Sequence, residues 1–210
     1  MKIGIIVALD NEYERLKGLR HPSLILERSG MGKVNAAVKA VELIRTHRPD
    51  CLLSTGVAGG LSPVLRPLDV VVSSEIVYHD VWCGEGNAWG QIQGLPPRFT
   101  ADPDLYAKAM SLSGGTQGAI HGGLICSGDR FIATQAEGDA ILAHFPEALA
   151  VDMESGALAQ VCHLYGIPFL SFRIISDVSG DGHQEDYDRF WEEASDQSFQ
   201  NVHRFIERLL

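Results

Sequence analysis

The chain reads as an α/β protein built on one mostly parallel sheet, a single domain spanning residues 1–210, and three observations predict it. Short apolar, β-rich runs alternate along the chain with stretches whose apolar residues recur at helical spacing. The stretch Ala148 to Asp177 reads as a complete strand-helix-strand unit. A composition 45% hydrophobic with 22 glycines in 210 residues suits a substantial core joined by tight turns, without linker, repeat or low-complexity tract.

Taken in order, Lys2 to Ala8 reads as a fully buried strand, followed by an acid-bearing helical segment from Asp10 through Leu16. A second apolar run at Ser23 to Leu26 leads into Ser29-Gly30-Met31-Gly32-Lys33. Val34, Ala37, Val38, Val41 and Ile44 then mark an amphipathic helix. Lys33 is followed by Val34 rather than Ser or Thr, so the glycines do not make a phosphate-cradling P-loop; a tight turn with close backbone approach fits them. Cys51 to Ser54 is a strand that opens into a loop of small residues, Thr55 to Gly60, where only backbone can line a surface. Leu68 to Val77 is a Val-rich strand, and Tyr78 to Phe99, with Trp82, Trp89 and Pro96-Pro97, reads as a long lid or partner-binding loop.

Asp102 to Met110 is helical, capped near Thr100 or Asp102, and Gly122 to Ser127 is a strand ending in Ser127-Gly128-Asp129-Arg130-Phe131-Ile132. Glu137 to His144 is a further helix. In the unit that follows, Ala148 to Met153 is a strand, and Ser155 to Tyr165 carries Leu158, Val161, Cys162 and Tyr165 at helical spacing before Gly166 and Pro168 stop it. Phe169 to Ser176 is a β-rich run. After Asp177 a polar stretch to Asp186 precedes a closing amphipathic helix with Phe190, Trp191, Ala194, Phe199, Val202, Phe205, Ile206 and Leu209.

A net charge of -10 and a pI near 5.2 argue against an electrostatic grip on nucleic acid or anionic lipid and favour a small-molecule ligand. Cys51, Cys83, Cys126 and Cys162 are widely spaced without a C-x-x-C, which reads as reduced thiols in a cytoplasmic protein. The N-terminal run MKIGIIVALD meets acids too soon for a signal peptide or membrane span.

Glu12, the glycine run, the Ser127 to Ile132 turn, Glu154 and Asp177 all follow strand ends, so the carboxyl edge of the sheet gathers three acids round a glycine-floored crevice. Taken singly, Glu154 serves equally well as complement to a helix N-terminus and Asp177 as a turn opener. Phe131 is equally a ligand-facing ring or a core corner. Together the acids suit general acid-base chemistry on an uncharged, hydroxylated substrate. A divalent metal would suit them too, but no D-x-D or His-x-His accompanies them, and no G-x-S-x-G supports a nucleophilic serine. Neither metal nor cofactor is expected.

The motifs I-I-V-A-L-D-N-E, S-G-M-G-K-V, T-G-V-A-G-G-L, S-G-D-R-F-I, V-D-M-E-S and R-I-I-S-D-V, in that order, carry a resemblance over nearly the whole chain. Together they resemble the nucleoside phosphorylase/nucleosidase superfamily, and within it the 5'-methylthioadenosine/S-adenosylhomocysteine nucleosidases. The resemblance implies a three-layer α/β/α sandwich, a homodimer with the 78–99 loop at the interface, and cofactor-free hydrolysis of the N-glycosidic bond of adenine thionucleosides. It makes Glu12 the acid that activates water and Asp177 the acid that protonates adenine N7. Glu154 would bind ribose hydroxyls above Met153, Phe131 would stack on adenine, and the Ile132 backbone would read its edge. Ser176 and Arg173 would support Asp177, and Ala58, Gly59 and Asp152 would complete the substrate-binding set, with Tyr187 lining the 5' tail.

Two departures bear on the tail. Val57 stands where a small hydroxyl residue is expected, and Glu85 and Asn87 occupy a lid that tends to be apolar. A related adenine-nucleoside hydrolase of the aminofutalosine type and a purine nucleoside phosphorylase are the alternative enzymes. The phosphorylase would need cations at the first strand exit, which reads Asp10-Asn11-Glu12. A catalytically silent nucleoside-binding protein is the non-enzyme alternative, against which the intact acids stand.

Overall fold

The computed structural model describes residues 1–112, 118–178, 187, 190, 191 and 199–210. Its described strands are β1 (Ile3–Val7), β2 (Leu24–Arg28), β3 (Cys51–Gly60), β4 (Val70–Tyr78), β5 (Phe99–Thr100), β6 (Ile120–Ser127), β7 (Ala148–Asp152) and β8 (Phe169–Val178). The described helices are α1 (Asp10–Leu16), α2 (Lys33–His47), α3 (Pro103–Met110), α4 (Gln135–Leu142), α5 (Ser155–Tyr165) and α6 (Gln200–Leu209). Ala194 of the expected closing helix and residues 179–186 lie outside the described residues, and α6 carries that helix's last turns.

The sheet is mixed in a specific way. Strands β2, β1, β3 and β8 form one parallel set, and β4, β6 and β7 form another. The two sets meet antiparallel twice, at Val70–Val72 of β4 against Phe172–Ile174 of β8 and at Gly59 and Gly60 of β3 against Val151 and Ala150 of β7. The sheet thereby closes on itself. The sequence suggested that β7 and β8 belong to one plain parallel run, but they flank β3 on opposite sides and in opposite senses. The physical reason is length: β3 has ten residues and β1 five, so β3 outruns its neighbour and leaves an edge at Gly59–Gly60 for β7 to fill.

For the same reason the small-residue run is strand rather than loop. Thr55 to Gly60 stays paired to β8, with a bulge between Ala58 and Gly59. Asp177 likewise lies inside β8, opposite Gly59, instead of following the strand.

Helices cover both faces, as a three-layer arrangement requires. One face packs Leu16 of α1, Leu105 and Ala109 of α3 and Val202, Phe205, Ile206 and Leu209 of α6 against Ile3, Ile5, Val70 and Phe172. The four α6 residues sit at i, i+3, i+4 and i+7, and Phe205 stacks on Phe172 at 5.2 Å. Full burial of each such side chain contributes about 1.5–3 kcal/mol. The other face holds Ala36, Ala40 and Leu43 of α2 against Ala157, Leu158, Val161 and Cys162 of α5, whose end at Gly166 adopts the left-handed cap with φ 65°. Among the described residues no helix is long and apolar enough to cross a membrane.

Between β4 and β5 the chain forms neither helix nor strand, as the lid reading expects, yet it is packed. Trp82 stacks on Trp89 at 5.5 Å and Trp89 on His144 at 4.1 Å, while Trp89 Nε1 donates to the His79 carbonyl at 3.3 Å.

Candidate active site

Because the two parallel sets run towards each other and overlap at Gly59–Gly60, the carboxyl ends of β1, β3, β6, β7 and β8 all open on one crevice. The cleft, about 610 Å³ of empty space counted with its open mouth, is lined by Glu12, Val57, Ala58, Gly59, Phe131, Ile132, Asp152, Met153, Glu154, Ser176, Asp177 and Tyr187, with Met31 and Arg130 among the remainder. Every residue assigned to the site from sequence is here except Arg173, which lies behind the wall.

Glu12 is built into its place by local sequence. As the third residue of α1 it turns back to accept the amides of Ala8 at 2.8 Å and Leu9 at 2.9 Å, and across the crevice that of Val57 at 2.9 Å. Only 1% of it is exposed, and burial pushes its carboxyl above the usual range while Arg173 and those three amides pull the other way. Gly56, at φ 137°, is what lets it fit: a β-carbon there would overlap the Glu12 carboxylate and stand 2.9 Å from an Arg173 nitrogen.

Arg173 is fully buried at 1% exposure, and its partners differ from the expected one. Nε pairs with Asp152 at 2.8 Å, Nη2 reaches Ser54 Oγ at 2.7 Å and Glu154 at 3.8 Å, and Nη1 donates to the Thr55 carbonyl at 3.2 Å. It does not contact Asp177. The two are four residues apart along β8, about 13 Å at a strand rise of ~3.3 Å per residue, and the bulge after Ile175 breaks the alternation that would put them on one face. Arg173 therefore serves Asp152, Glu154 and, through its charge, Glu12.

Three carboxylates around one guanidinium leave excess negative charge in a dry site. Burial first, and then the charges of Asp152 and Glu12, push Glu154 up to about 7 against the pull of Arg173. Glu154 accepts a hydrogen bond from the Gly32 amide at 2.9 Å. Asp152 is committed to Arg173 and to the Ser155 amide at 3.2 Å and hydroxyl at the start of α5, so its edge lines the cleft while its charge points into the wall. Ser176 Oγ is hydrogen-bonded to the carboxylate of its neighbour Asp177 and lies 3.3 Å from the Ala58 carbonyl, both side chains being buried.

The rim is different. Phe131 is 42% exposed, outside the core clusters, with its ring 5.6 Å from that of Tyr187. Met31 is 58% exposed, and Arg130 pairs with Glu137 at 2.8 Å. Sequence reasoning left Met31 and Arg130 out, although a methionine between two glycines at a strand exit was a readable signal for an apolar wall. No residue from 79 to 98 lines this cleft; Glu85 is exposed, and the Asn87 amide donates to the Cys83 carbonyl at 3.3 Å. Among the described residues no group of three His, Cys, Asp or Glu side chains is arranged to hold a metal. Chemically, the arrangement offers a buried carboxylate with raised proton affinity and a second acid on the neighbouring strands, facing one another's cleft.

Comparison with known proteins gives a consistent picture. A family model described as the Phosphorylase superfamily matches residues 20–210. The 5'-methylthioadenosine/S-adenosylhomocysteine nucleosidase of Chromohalobacter salexigens is 36% identical over 229 residues, covering 99% of this chain and 97% of its own. The enzyme of the same name from Geobacillus thermodenitrificans is 39% identical over 202 residues, covering 94% and 84%. Among solved structures, the nucleosidase of that name from Neisseria meningitidis, in complex with methylthio-immucillin-A, aligns with a TM-score of 0.91 at 34% identity over 100% of this chain and 99% of that one. Its counterpart from Colwellia psychrerythraea in complex with adenine gives 0.88 at 32% identity over 100% and 96%.

Proposed function

As the chain belongs to the phosphorylase superfamily and, within it, to the 5'-methylthioadenosine/S-adenosylhomocysteine nucleosidases, we infer that it hydrolyses the N-glycosidic bond of adenine thionucleosides. Cleavage passes through an oxocarbenium-like sugar, which is helped by an acid on the departing base, a base for water and an anion beside the ribose. Glu12, fixed by three amides and raised in proton affinity by burial, takes a proton from the water that attacks the anomeric carbon. Asp177, held by Ser176, delivers a proton to adenine N7. Glu154 holds the ribose hydroxyls over Met153, Phe131 stacks on the base, and the backbone at Ile132 reads its edge. Ala58 and Gly59 form the floor, and Tyr187 meets the 5' tail.

The observation that carries hydrolysis over phosphorolysis is the charge of the cleft. Among the described residues that line it, the one cation is Arg130, already paired with Glu137, and the buried Arg173 is enclosed by carboxylates. A phosphate nucleophile would meet Glu12 instead of a cation. Adenine release from methylthioadenosine with and without phosphate tests this: the expected products are adenine and the free thioribose at a phosphate-independent rate, and a sugar 1-phosphate with an obligatory phosphate requirement overturns it.

The reading extends to a cytoplasmic homodimer. Trp82, 52% exposed, and Trp89, 38% exposed, present an apolar surface on the 78–99 loop, which in a dimer would close the partner's cleft. Light scattering of the purified protein is expected to give twice the chain mass; a fully active monomer rules the dimer out.

A further inference from the structure

We propose that Lys33 and Asp80 are positioning residues for Glu154, acting through the Gly32 amide; this rests on the reading of Glu154 as the ribose-binding carboxylate. Glu154 accepts one hydrogen bond among the described residues, from Gly32 N–H at 2.9 Å, and its nearest cation, Arg173, stands at 3.8 Å. That amide belongs to the turn that opens α2, and the turn is tied down by its next residue at two points. The Lys33 amide donates to Asp129 Oδ1 at 2.7 Å and the Lys33 ammonium to Asp80 Oδ2 at 2.8 Å. Asp80 Oδ2 also accepts the Asp129 amide at 2.9 Å, so one carboxylate clamps the 29–33 turn, the 127–131 turn and the base of the 79–98 segment together.

The clamp is more than a solvated surface pair. The Lys33 and Asp80 side chains are 25% and 18% exposed, and the ammonium lies 5.3 Å from the Tyr78 ring centroid. Burial opposes the charge on Asp80, but the Lys33 ammonium and the Asp129 amide outweigh it and hold its carboxyl below the usual range. Gly32 has φ 90° and a β-carbon there would stand 2.9 Å from Asp129 Oδ1, so the turn sits flush against the second loop. Release of the Lys33 side chain frees the turn on that side and slackens the one amide that orients Glu154.

The test is a double-mutant cycle on adenine release. Asp80→Asn and Lys33→Met are each measured in the parent enzyme and in Glu154→Gln, with Lys33→Arg as the conservative control. In the parent, KM for methylthioadenosine is expected to rise about tenfold with kcat changed by less than about threefold, the scale of one hydrogen bond to a charged group. In the Glu154→Gln background the same changes are expected to cost less than about twofold, and Lys33→Arg to restore most of the parent KM. The acidic limb of the parent's kcat/KM profile is also expected to move to higher pH in Asp80→Asn, since a lost amide donor favours the protonated carboxyl. Equal losses in both backgrounds, or an unchanged KM in the parent, overturn the proposal. Glu154→Gln without effect on its own overturns the ribose reading itself, and the clamp's role with it.

Discussion

The floor of the cleft and its rim are built by opposite rules. On the floor Glu12, Asp152 and Glu154, and behind it Arg173, are almost entirely buried and tied to neighbouring amides, hydroxyls or opposite charges. On the rim, Met31 and Phe131 stand well exposed, and Arg130 is held through a single ion pair with Glu137. The difference assigns labour. Proton transfer needs groups whose positions and proton affinities are set before substrate arrives. Contact with a ring or an alkylthio tail needs surface that substrate itself will cover.

The largest effect that separates the two regions is expected at Arg173. Arg173→Met leaves three carboxylates around an uncharged thioether, and breaking a buried ion pair from one side costs about 3–5 kcal/mol. At about 2–4 °C per kcal/mol for a chain of this size, Tm should fall by about 10 °C, while Arg130→Met on the rim should leave it within about 2 °C. Equal shifts by differential scanning calorimetry would erase the distinction between floor and rim.

Next come the acids. Glu12→Gln and Asp177→Asn are each expected to lower kcat by about 100-fold or more, the scale of a lost general base or acid, with the folded structure retained. Phe131→Leu should raise KM by a smaller factor, about tenfold, through loss of ring area. Near-normal turnover in either purified acid variant removes that residue from the mechanism.

Smaller again is a pH effect confined to the floor. The Glu154 carboxyl sits at about 7 in the folded protein against 4.5 as its ordinary value. A carboxyl raised by folding contributes stability that is fully present below the unfolded value and is lost as pH rises through the folded one. Between pH 5 and pH 8 the parent should therefore lose on the order of 2 kcal/mol that Glu154→Gln keeps, as read from denaturant midpoints at each pH. Parallel pH curves for the two proteins would show that Glu154 is ionised throughout.

The sequence made much of the floor legible, because strand exits announce themselves: an apolar run followed by an acid is readable at Val7 to Glu12 and at Val151 to Glu154. Helix α5 was legible to its last residue, since Gly166 supplies the left-handed stop. What was not legible is long-range. The fate of Thr55 to Gly60 as strand depends on β8, which pairs along the whole run, and on β7, which meets Gly59 and Gly60, both from far along the chain, and no local pattern encodes this. Arg173 was assigned to Asp177 by the family resemblance, whereas its charge is claimed by Asp152 and Glu154 from another strand and the turn after it. Lys33 drew notice only as a failed phosphate loop, since its partner Asp80 lies forty-seven residues on.

The smallest expected effect tests where the rim ends. Within one chain the tail side offers Tyr187, whose ring meets Phe131 at 5.6 Å, and Met31; the polar Glu85 and Asn87 line no part of that cleft. If the 78–99 loop closes the partner's cleft, those two residues reach the tail only in the dimer. A methyl-sized apolar contact contributes about 0.8 kcal/mol, and a polar wall offsets part of it. The parent is therefore expected to prefer methylthioadenosine over adenosine by less than about 1,000-fold in kcat/KM, and S-adenosylhomocysteine, with its polar tail, should fall between them. Glu85→Leu with Asn87→Leu should widen the preference for methylthioadenosine by about three- to tenfold, while Tyr187→Ser should narrow it by a similar factor. A response to Tyr187→Ser with none to the lid pair would confine the rim to a single chain; a response to both would make the lid of one protomer part of the cleft of the other.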